Sequence, residues 1–146
     1  AGAEVVMLFD SWAGALTPPM FTRHTVEPAR RIAEALAKKH PGVPFIGFPK
    51  GAGALYAEYA ASVPAAGVAL DQHVPLGWAR ETLTGTALQG NLDPMLMVVG
   101  GDALQAETRR ILDAMAGTPH IFNLGHGITP DADPANVEKL LRVIRG

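Results

Sequence analysis

The chain has 146 residues with 12 basic and 14 acidic side chains, and 48% of its residues are hydrophobic, which is enough apolar mass for one globular domain. A net charge near −2, without a cluster of Lys or Arg, argues against nucleic acid or an anionic membrane surface as a partner. The absence of cysteine excludes a disulfide scaffold, a thiolate metal site and a thiolate nucleophile.

Five short apolar runs predict strands of a parallel sheet. None of them alternates cleanly between polar and apolar residues, as expected for strands that are covered on both faces. The five predicted strands are Val5–Phe9, Phe45–Phe48, Val68–Leu70, Thr86–Gln89 and Ile121–Leu124.

Helices are predicted between these strands from apolar periodicity and from residues typical of helix ends. Pro18 marks the start of a short helix, and a longer one runs from Thr25 to about His40, where Pro41-Gly42 ends it. Two shorter helices are predicted near Leu55–Ala61 and Pro75–Glu81, and the last two helices are predicted to be capped by Asp102 and Asp133.

The predicted order is five consecutive βα units, with strand starts about 29 residues apart. Repeated βαβ crossovers indicate a parallel sheet, either open and doubly wound or part of a closed barrel. Eight such units would need roughly 230 residues, close to the size of a (β/α)8 barrel. Two features favour the partial barrel: the first strand begins at Val5 with no preceding helix, and DSWAG after Phe9 is not a glycine-rich dinucleotide turn.

No charge-free stretch predicts a membrane-spanning helix, which needs about 20 consecutive apolar residues. One of the longest such stretches, Ala114–Pro130, is interrupted by glycine, proline and polar residues. The first residues, AGAEVVMLFD, lack the basic start of a signal peptide. These features predict a cytoplasmic protein.

Every predicted strand is followed by polar residues. Because ligands of parallel α/β proteins bind at the carboxyl ends of the strands, these residues predict a pocket at one edge of the sheet. The five clusters are Asp10-Ser11-Trp12, Lys50-Gly51, Asp71-Gln72, Gln89–Pro94 and Asn123–Gly127.

Ser11 and His126 each have a binding and a structural interpretation. Glycines flank His126 and leave its imidazole unobstructed, so it either binds a ligand or satisfies a loop carbonyl. Ser11 either binds a ligand or forms a turn, and F-D-S-W-A-G does not match the G-x-S-x-G context of a nucleophilic serine. Surface or loop positions are predicted for the other histidines, which are His24, His40, His73 and His120.

The aspartates at the strand ends are candidates for general acid–base chemistry or metal binding, and only for Asp93 is a structural role favoured. Asp93 precedes a proline, as helix-capping residues do. Asp10 and Asp71 either orient neighbouring groups or pair with Lys50. The histidines and aspartates show no H-x-x-x-H or similar spacing, so no metal site is predicted.

Five motifs resemble the C-terminal part of the uroporphyrinogen decarboxylase family, in the family's order and over essentially the whole chain. The resemblance implies that residues 1–146 are a single-domain fragment supplying strands 4–8 of a (β/α)8 TIM barrel. The motifs are FDSWAG (Phe9–Gly14), FPKGAG (Phe48–Gly53), GVALD (Gly67–Asp71), LQGNLDP (Leu88–Pro94) and IFNLGHGITPDADP (Ile121–Pro134).

The resemblance also implies a reaction and a set of site residues. The family removes the carboxylates of the four acetate side chains of uroporphyrinogen III, giving coproporphyrinogen III in haem and tetrapyrrole biosynthesis. It uses no cofactor or metal and acts as a cytoplasmic homodimer. Two substrate-binding positions of the family correspond to Ser11 and His126, while Lys50, Asp71 and Gln89 are expected to shape the pocket.

The family's catalytic aspartate belongs to its N-terminal part, so no catalytic residue is expected in this chain, which alone is expected to be inactive. Two alternatives stay open. A zinc- or cobalamin-linked methyltransferase of the same superfamily is disfavoured because thiolate ligands are absent. A non-catalytic partial barrel would have to associate with itself to cover its strand edges.

Overall fold

The computed structural model describes residues 2–146 and contains one five-stranded parallel sheet. The strands lie side by side in chain order, which is the order of a barrel, whereas a doubly wound sheet reverses its order at a switch point. The predicted partial-barrel fold is therefore confirmed. The strands are β1 (Val6–Asp10), β2 (Phe45–Pro49), β3 (Gly67–Ala69), β4 (Ala87–Leu92) and β5 (His120–Leu124).

The helices lie where the sequence predicts them, except for the short helix Leu96–Val99, which the sequence analysis does not predict. Asp133 caps the last helix, since its carboxylate accepts a 2.9 Å hydrogen bond from the backbone nitrogen of Ala135. The prediction that Asp102 is a cap is wrong, because that helix begins at Gly101 and Asp102 lies within its first turn. The helices are α1 (Pro18–Phe21), α2 (Glu27–Lys39), α3 (Tyr56–Ser62), α4 (Leu76–Thr82), α5 (Leu96–Val99), α6 (Gly101–Ala114) and α7 (Pro134–Arg145).

A π-helical segment, Thr22–Val26, joins α1 directly to α2. Such one-turn insertions shift the face that the following residues present and are frequent near functional sites. Here the segment buries Thr25 to 3% exposure, and its hydroxyl reaches the end of β1.

The main core lies between the helices and one face of the sheet. Val68 and Leu88 of the central strands pack there with Tyr56, Leu104 and Ile111, and all five are essentially fully buried. This continuous apolar layer fixes each helix against the strand that precedes it and so sets the positions of the loops at the carboxyl ends of the strands.

The opposite face of the sheet is only partly covered. Ile46, Phe48 and Ala69 form a small buried cluster there with Met7 at its side. Within residues 2–146, β1 pairs only with β2, and β5 only with β4, so one edge of each outer strand is unpaired. On these outer strands Phe9 is 65% exposed and Ile121 45% exposed.

Two predictions about the strands need correction. β4 continues through Leu92, so Gln89 lies inside the sheet, where its amide is 3.5 Å from the sulfur of Met7, and not at the carboxyl end. His120 is not a surface or loop residue. It is the first residue of β5, is half-buried and pairs with Leu88.

Candidate functional site

Ser11 directly follows β1 and is exposed at the carboxyl edge of the sheet. It lines a groove of about 390 Å³ together with Trp12, Lys50, Gly51, Asp71 and His73. The Lys50 ammonium takes part in none of the three ion pairs found among residues 2–146. This part of the edge therefore combines a hydroxyl group with a positive charge, a suitable pair for a carboxylate ligand.

Asp10 fixes the segment that carries Ser11 through hydrogen bonds to its carboxylate. Its carboxylate accepts a 2.7 Å hydrogen bond from the Thr25 hydroxyl and a longer one, 3.4 Å, from the backbone nitrogen of Trp12. Of the two roles predicted for Asp10, the structure therefore shows the orienting one.

Asp71 lies at the end of the middle strand and is 1% exposed. It does not pair with the Lys50 side chain; instead its carboxylate accepts hydrogen bonds from the backbone nitrogens of Gly51, at 2.8 Å, and His73, at 2.9 Å. Tyr56 donates a third, at 3.0 Å. A buried carboxylate is tolerable in this place because each of its oxygens has a donor.

Tyr56 is a site residue that the sequence analysis missed. Burial raises the pKa of its phenol far above the usual range, and the Asp71 charge raises it further, so the hydroxyl stays protonated and donates. The signal in the sequence was weak: an aromatic residue three positions after the last glycine of FPKGAG reads as an ordinary core residue at the start of a helix.

His126 follows β5 and is exposed. The preceding Gly125 is buried against the backbone of Asp71 and Gln72, where a Cβ atom would overlap the nitrogen of Gln72. Its own nitrogen donates a 2.7 Å hydrogen bond to the carbonyl of Leu92. The loop with His126 therefore extends from β5 past the end of β4 and packs against the loop that follows β3.

The structure places Ser11 and His126 at the same edge of the sheet but beyond its two outer strands. Four strand spacings of about 4.8 Å each separate them along the sheet. The groove at Ser11 is formed by the loops after β1, β2 and β3, and His126 is not among its lining residues. Their predicted convergence on one ligand stays a prediction.

Three more polar residues of the sheet and its loops make hydrogen bonds within the protein. Asp93 accepts a 2.9 Å hydrogen bond from the nitrogen of Met95, as a capping residue does. Asn91 is buried in β4, and its amide donates to the carbonyls of Asp71 and Val74. His120 lies 2.6 Å from the carbonyl of Gly90 through its Nε2 atom.

Two features are absent from the described part of the chain. Within residues 2–146, no three His, Asp or Glu side chains lie close enough together to hold a metal ion. None of the helices in that range has the length and apolarity needed to cross a membrane.

Comparisons with known proteins agree on one family. The family model described as uroporphyrinogen decarboxylase matches residues 1–146. The uroporphyrinogen decarboxylase of Paracoccus denitrificans is 56% identical over 147 aligned residues, covering 100% of this chain and 43% of that protein. Those of Jannaschia sp. and Ruegeria pomeroyi are 56% and 51% identical, covering 99% of this chain and 43% and 42% of those proteins. The chain thus spans less than half the length of these relatives.

A solved structure described as a methyltransferase from Methanosarcina mazei is similar with a TM-score of 0.77 and 19% sequence identity. It covers 97% of this chain, and 42% of the methyltransferase chain is matched. At this identity the similarity supports the fold and carries no statement about the reaction.

Proposed function

The chain belongs to the uroporphyrinogen decarboxylase family, and we propose that it supplies strands 4–8 of a (β/α)8 barrel with that activity. One observation carries the proposal: the whole of this chain matches less than half of each relative. The missing part of the barrel would account for the edges of β1 and β5 that are unpaired among the described residues. Three further βα units would pair with both edges and cover the exposed side chains of Phe9 and Ile121.

The proposed reaction converts uroporphyrinogen III to coproporphyrinogen III. Each acetate side chain loses its carboxylate as CO2, and a proton takes the place of the broken C–C bond, so that a methyl group remains. Protonation of the pyrrole ring precedes the loss of CO2, and a buried aspartate from outside this chain stabilises the positive charge. No cofactor is needed for this chemistry.

The roles proposed for this chain are in substrate binding. The Ser11 hydroxyl and the His126 imidazole donate hydrogen bonds to substrate carboxylates, and the Lys50 ammonium adds a favourable charge beside Ser11. Uroporphyrinogen carries carboxylates on all four of its pyrrole rings, so one ligand offers acceptors on both sides of the pocket. We also propose that the complete protein is a cytoplasmic homodimer, as the family resemblance implies.

The test uses a graft, defined as the Paracoccus denitrificans relative in which this chain replaces the 43% that it matches. We expect the graft to release CO2 and to form coproporphyrinogen. In the graft, Ser11→Ala and His126→Ala should each raise KM about tenfold, because each removes a hydrogen bond to a charged group. Ser62→Ala and His40→Ala are matched controls at exposed helix ends.

Two outcomes would count against this function. A folded graft that releases no CO2 would refute the decarboxylase assignment. A graft in which the Ser11 and His126 variants keep the kinetics of the two controls would refute the binding roles.

The self-associating partial barrel remains a second candidate, because the unpaired strand edges and the exposed Phe9 and Ile121 are the features that would form such a contact. Sedimentation equilibrium of the 146-residue chain tests it. A dimer or larger oligomer supports self-association, whereas a stable monomer over the whole concentration range excludes it.

A further inference from the structure

The carboxylate of Asp71 lies at the centre of the candidate site, between the loops that carry Ser11 and His126. Asp71 lies two residues beyond the middle strand of the sheet and is almost completely inaccessible. Placing a charge there costs free energy unless it is paired or hydrogen-bonded, and three donors satisfy it. A carboxylate is therefore specifically required by the groups around it.

One of these donors connects Asp71 to the Ser11 loop. Gly51 donates its backbone N–H to Asp71, and its φ of +76° is a conformation that glycine adopts without strain. On the other side, Gly51 packs against Gly14, and a Cβ atom added at Gly14 would overlap the backbone of Gly51. The Gly14 nitrogen also donates a 3.0 Å hydrogen bond to the carbonyl of Lys50. The position of Asp71 thereby sets the position of the chain just after Ser11.

A backbone contact connects Asp71 to the His126 loop. Gly125 lies so close to the Asp71–Gln72 peptide that no side chain fits, with the carbonyl carbon of Asp71 only 2.9 Å from where a Cβ would stand. That peptide is itself fixed by the 2.9 Å hydrogen bond that the His73 nitrogen donates to the Asp71 carboxylate and by the bond that the Asn91 amide donates to the Asp71 carbonyl. The Asp71 segment therefore contacts both loops.

We propose that Asp71 is a positioning residue that holds the loops of Ser11 and His126 at a fixed separation, so that both donors meet carboxylates of one substrate. The inference rests on the proposed function for its substrate. Its geometric part, the coupling of the two loops through Asp71, stands on the contacts alone.

Asp71→Asn is the central variant. It keeps the shape of the side chain but replaces one acceptor oxygen with an NH2 group, so that either the bonds from Gly51 and Tyr56 or the bond from His73 are lost. Thr108→Val is the control, because it also removes one buried side-chain hydrogen bond, but that bond runs to the carbonyl of Leu104 within α6 and involves neither Asp71 nor either loop. Both variants are measured in the graft, by hydrogen exchange with mass spectrometry and by steady-state kinetics.

We expect Asp71→Asn to increase amide exchange in residues 11–16 and in residues 124–127, and to raise KM about tenfold with kcat changed much less. Thr108→Val should leave exchange in both segments and KM unchanged. Equal effects of the two variants, or faster exchange in only one segment after Asp71→Asn, would overturn the proposal.

Gly51→Ala is a second variant that leaves the buried carboxylate in place. The new Cβ meets the Cα of Gly14 at 3.3 Å and the positive φ becomes strained, so only the link to the Ser11 loop is disturbed. Exchange should then rise in residues 11–16 and not in 124–127; a rise in neither segment would contradict the proposed link. If the unsubstituted graft forms no coproporphyrinogen, the proposed function fails, while the exchange pattern still decides the coupling.

Discussion

The Thr25 hydroxyl donates a 2.7 Å hydrogen bond to the carboxylate of Asp10, the residue that directly precedes Ser11. Thr25 belongs to the π-helical segment between α1 and α2, and this segment turns its side chain toward the end of β1. The π-helical segment is separated from Ser11 in the sequence, yet it stabilises the loop that carries Ser11.

Removal of this hydroxyl should destabilise the protein. Thr25→Val keeps the shape of the side chain but leaves a carboxylate oxygen without its donor, which we expect to cost about 2 kcal/mol in the free energy of unfolding. Urea unfolding of the 146-residue chain, followed by circular dichroism, measures the difference.

Thr108→Val is the matched control for this prediction. Thr108 is equally buried, but its hydroxyl donates only to the carbonyl of Leu104 within the same helix, so its loss should cost much less. Thr25→Ser should restore the stability. Equal losses for the valine variants at 25 and 108 would show that the bond to Asp10 contributes nothing of its own.

The architecture could be predicted because the pattern of the sequence is unambiguous at the level of whole elements. Apolar runs such as Phe45–Phe48 lie between amphipathic helices, and Pro18 and Asp133 mark helix starts that the structure confirms. The positions of Ser11 and Lys50 after their strands followed from the same pattern.

The errors have a common physical cause, which is that tertiary contacts override local preference. Gly90 and Asn91 are poor strand formers, so the sequence predicts an end at Gln89, but pairing with Phe122 and Asn123 extends β4. His120 follows a proline and reads as a loop residue, although it pairs with the same strand. No local pattern indicates which groups a buried carboxylate will meet.

Gly125→Ala should disturb the site, because the methyl group would overlap the backbone nitrogen of Gln72 and cannot be accommodated by a side-chain movement. We expect a loss of about 1–3 kcal/mol in stability, as for other overpacked positions, and a higher KM in the graft. Gly127→Ala is a matched control on the other side of His126, where no atom lies within 4 Å of the added methyl. Thermal unfolding and kinetics compare the two, and equal behaviour would contradict the close contact.

His120 should make stability depend on pH. Burial lowers the pKa of its imidazole, and the hydrogen bond to the Gly90 carbonyl opposes this shift only in part. The unfolded chain, with an ordinary pKa of about 6.5, therefore binds more protons than the folded one as the pH falls below that value. The contribution is present above about pH 6.5 and is lost as the pH falls toward the lowered pKa of the folded state.

His120→Gln tests this dependence, because the amide still offers a donor to Gly90 but does not titrate. We expect the free energy of unfolding of the unsubstituted chain to fall more steeply than that of the variant between about pH 7.5 and 5. Urea unfolding at several pH values gives both curves. If the unfolding free energies of the two proteins change in parallel with pH, groups other than His120 cause the loss of stability in acid.

Tyr56→Phe should be more destabilising than Tyr59→Phe, although the two tyrosines lie in the same helix and both are buried. The Tyr56 hydroxyl donates to Asp71 at 3.0 Å and receives the Asp71 N–H at 3.3 Å, so its loss should cost about 2 kcal/mol. The Tyr59 hydroxyl fills the space left by the missing side chain of Gly47 and, among the described residues, has no hydrogen-bond partner. Its removal should change stability by less than about 0.5 kcal/mol. Urea unfolding of both variants at one protein concentration measures the difference, and a larger loss at Tyr59 would mean that packing, and not the bond to Asp71, dominates in α3.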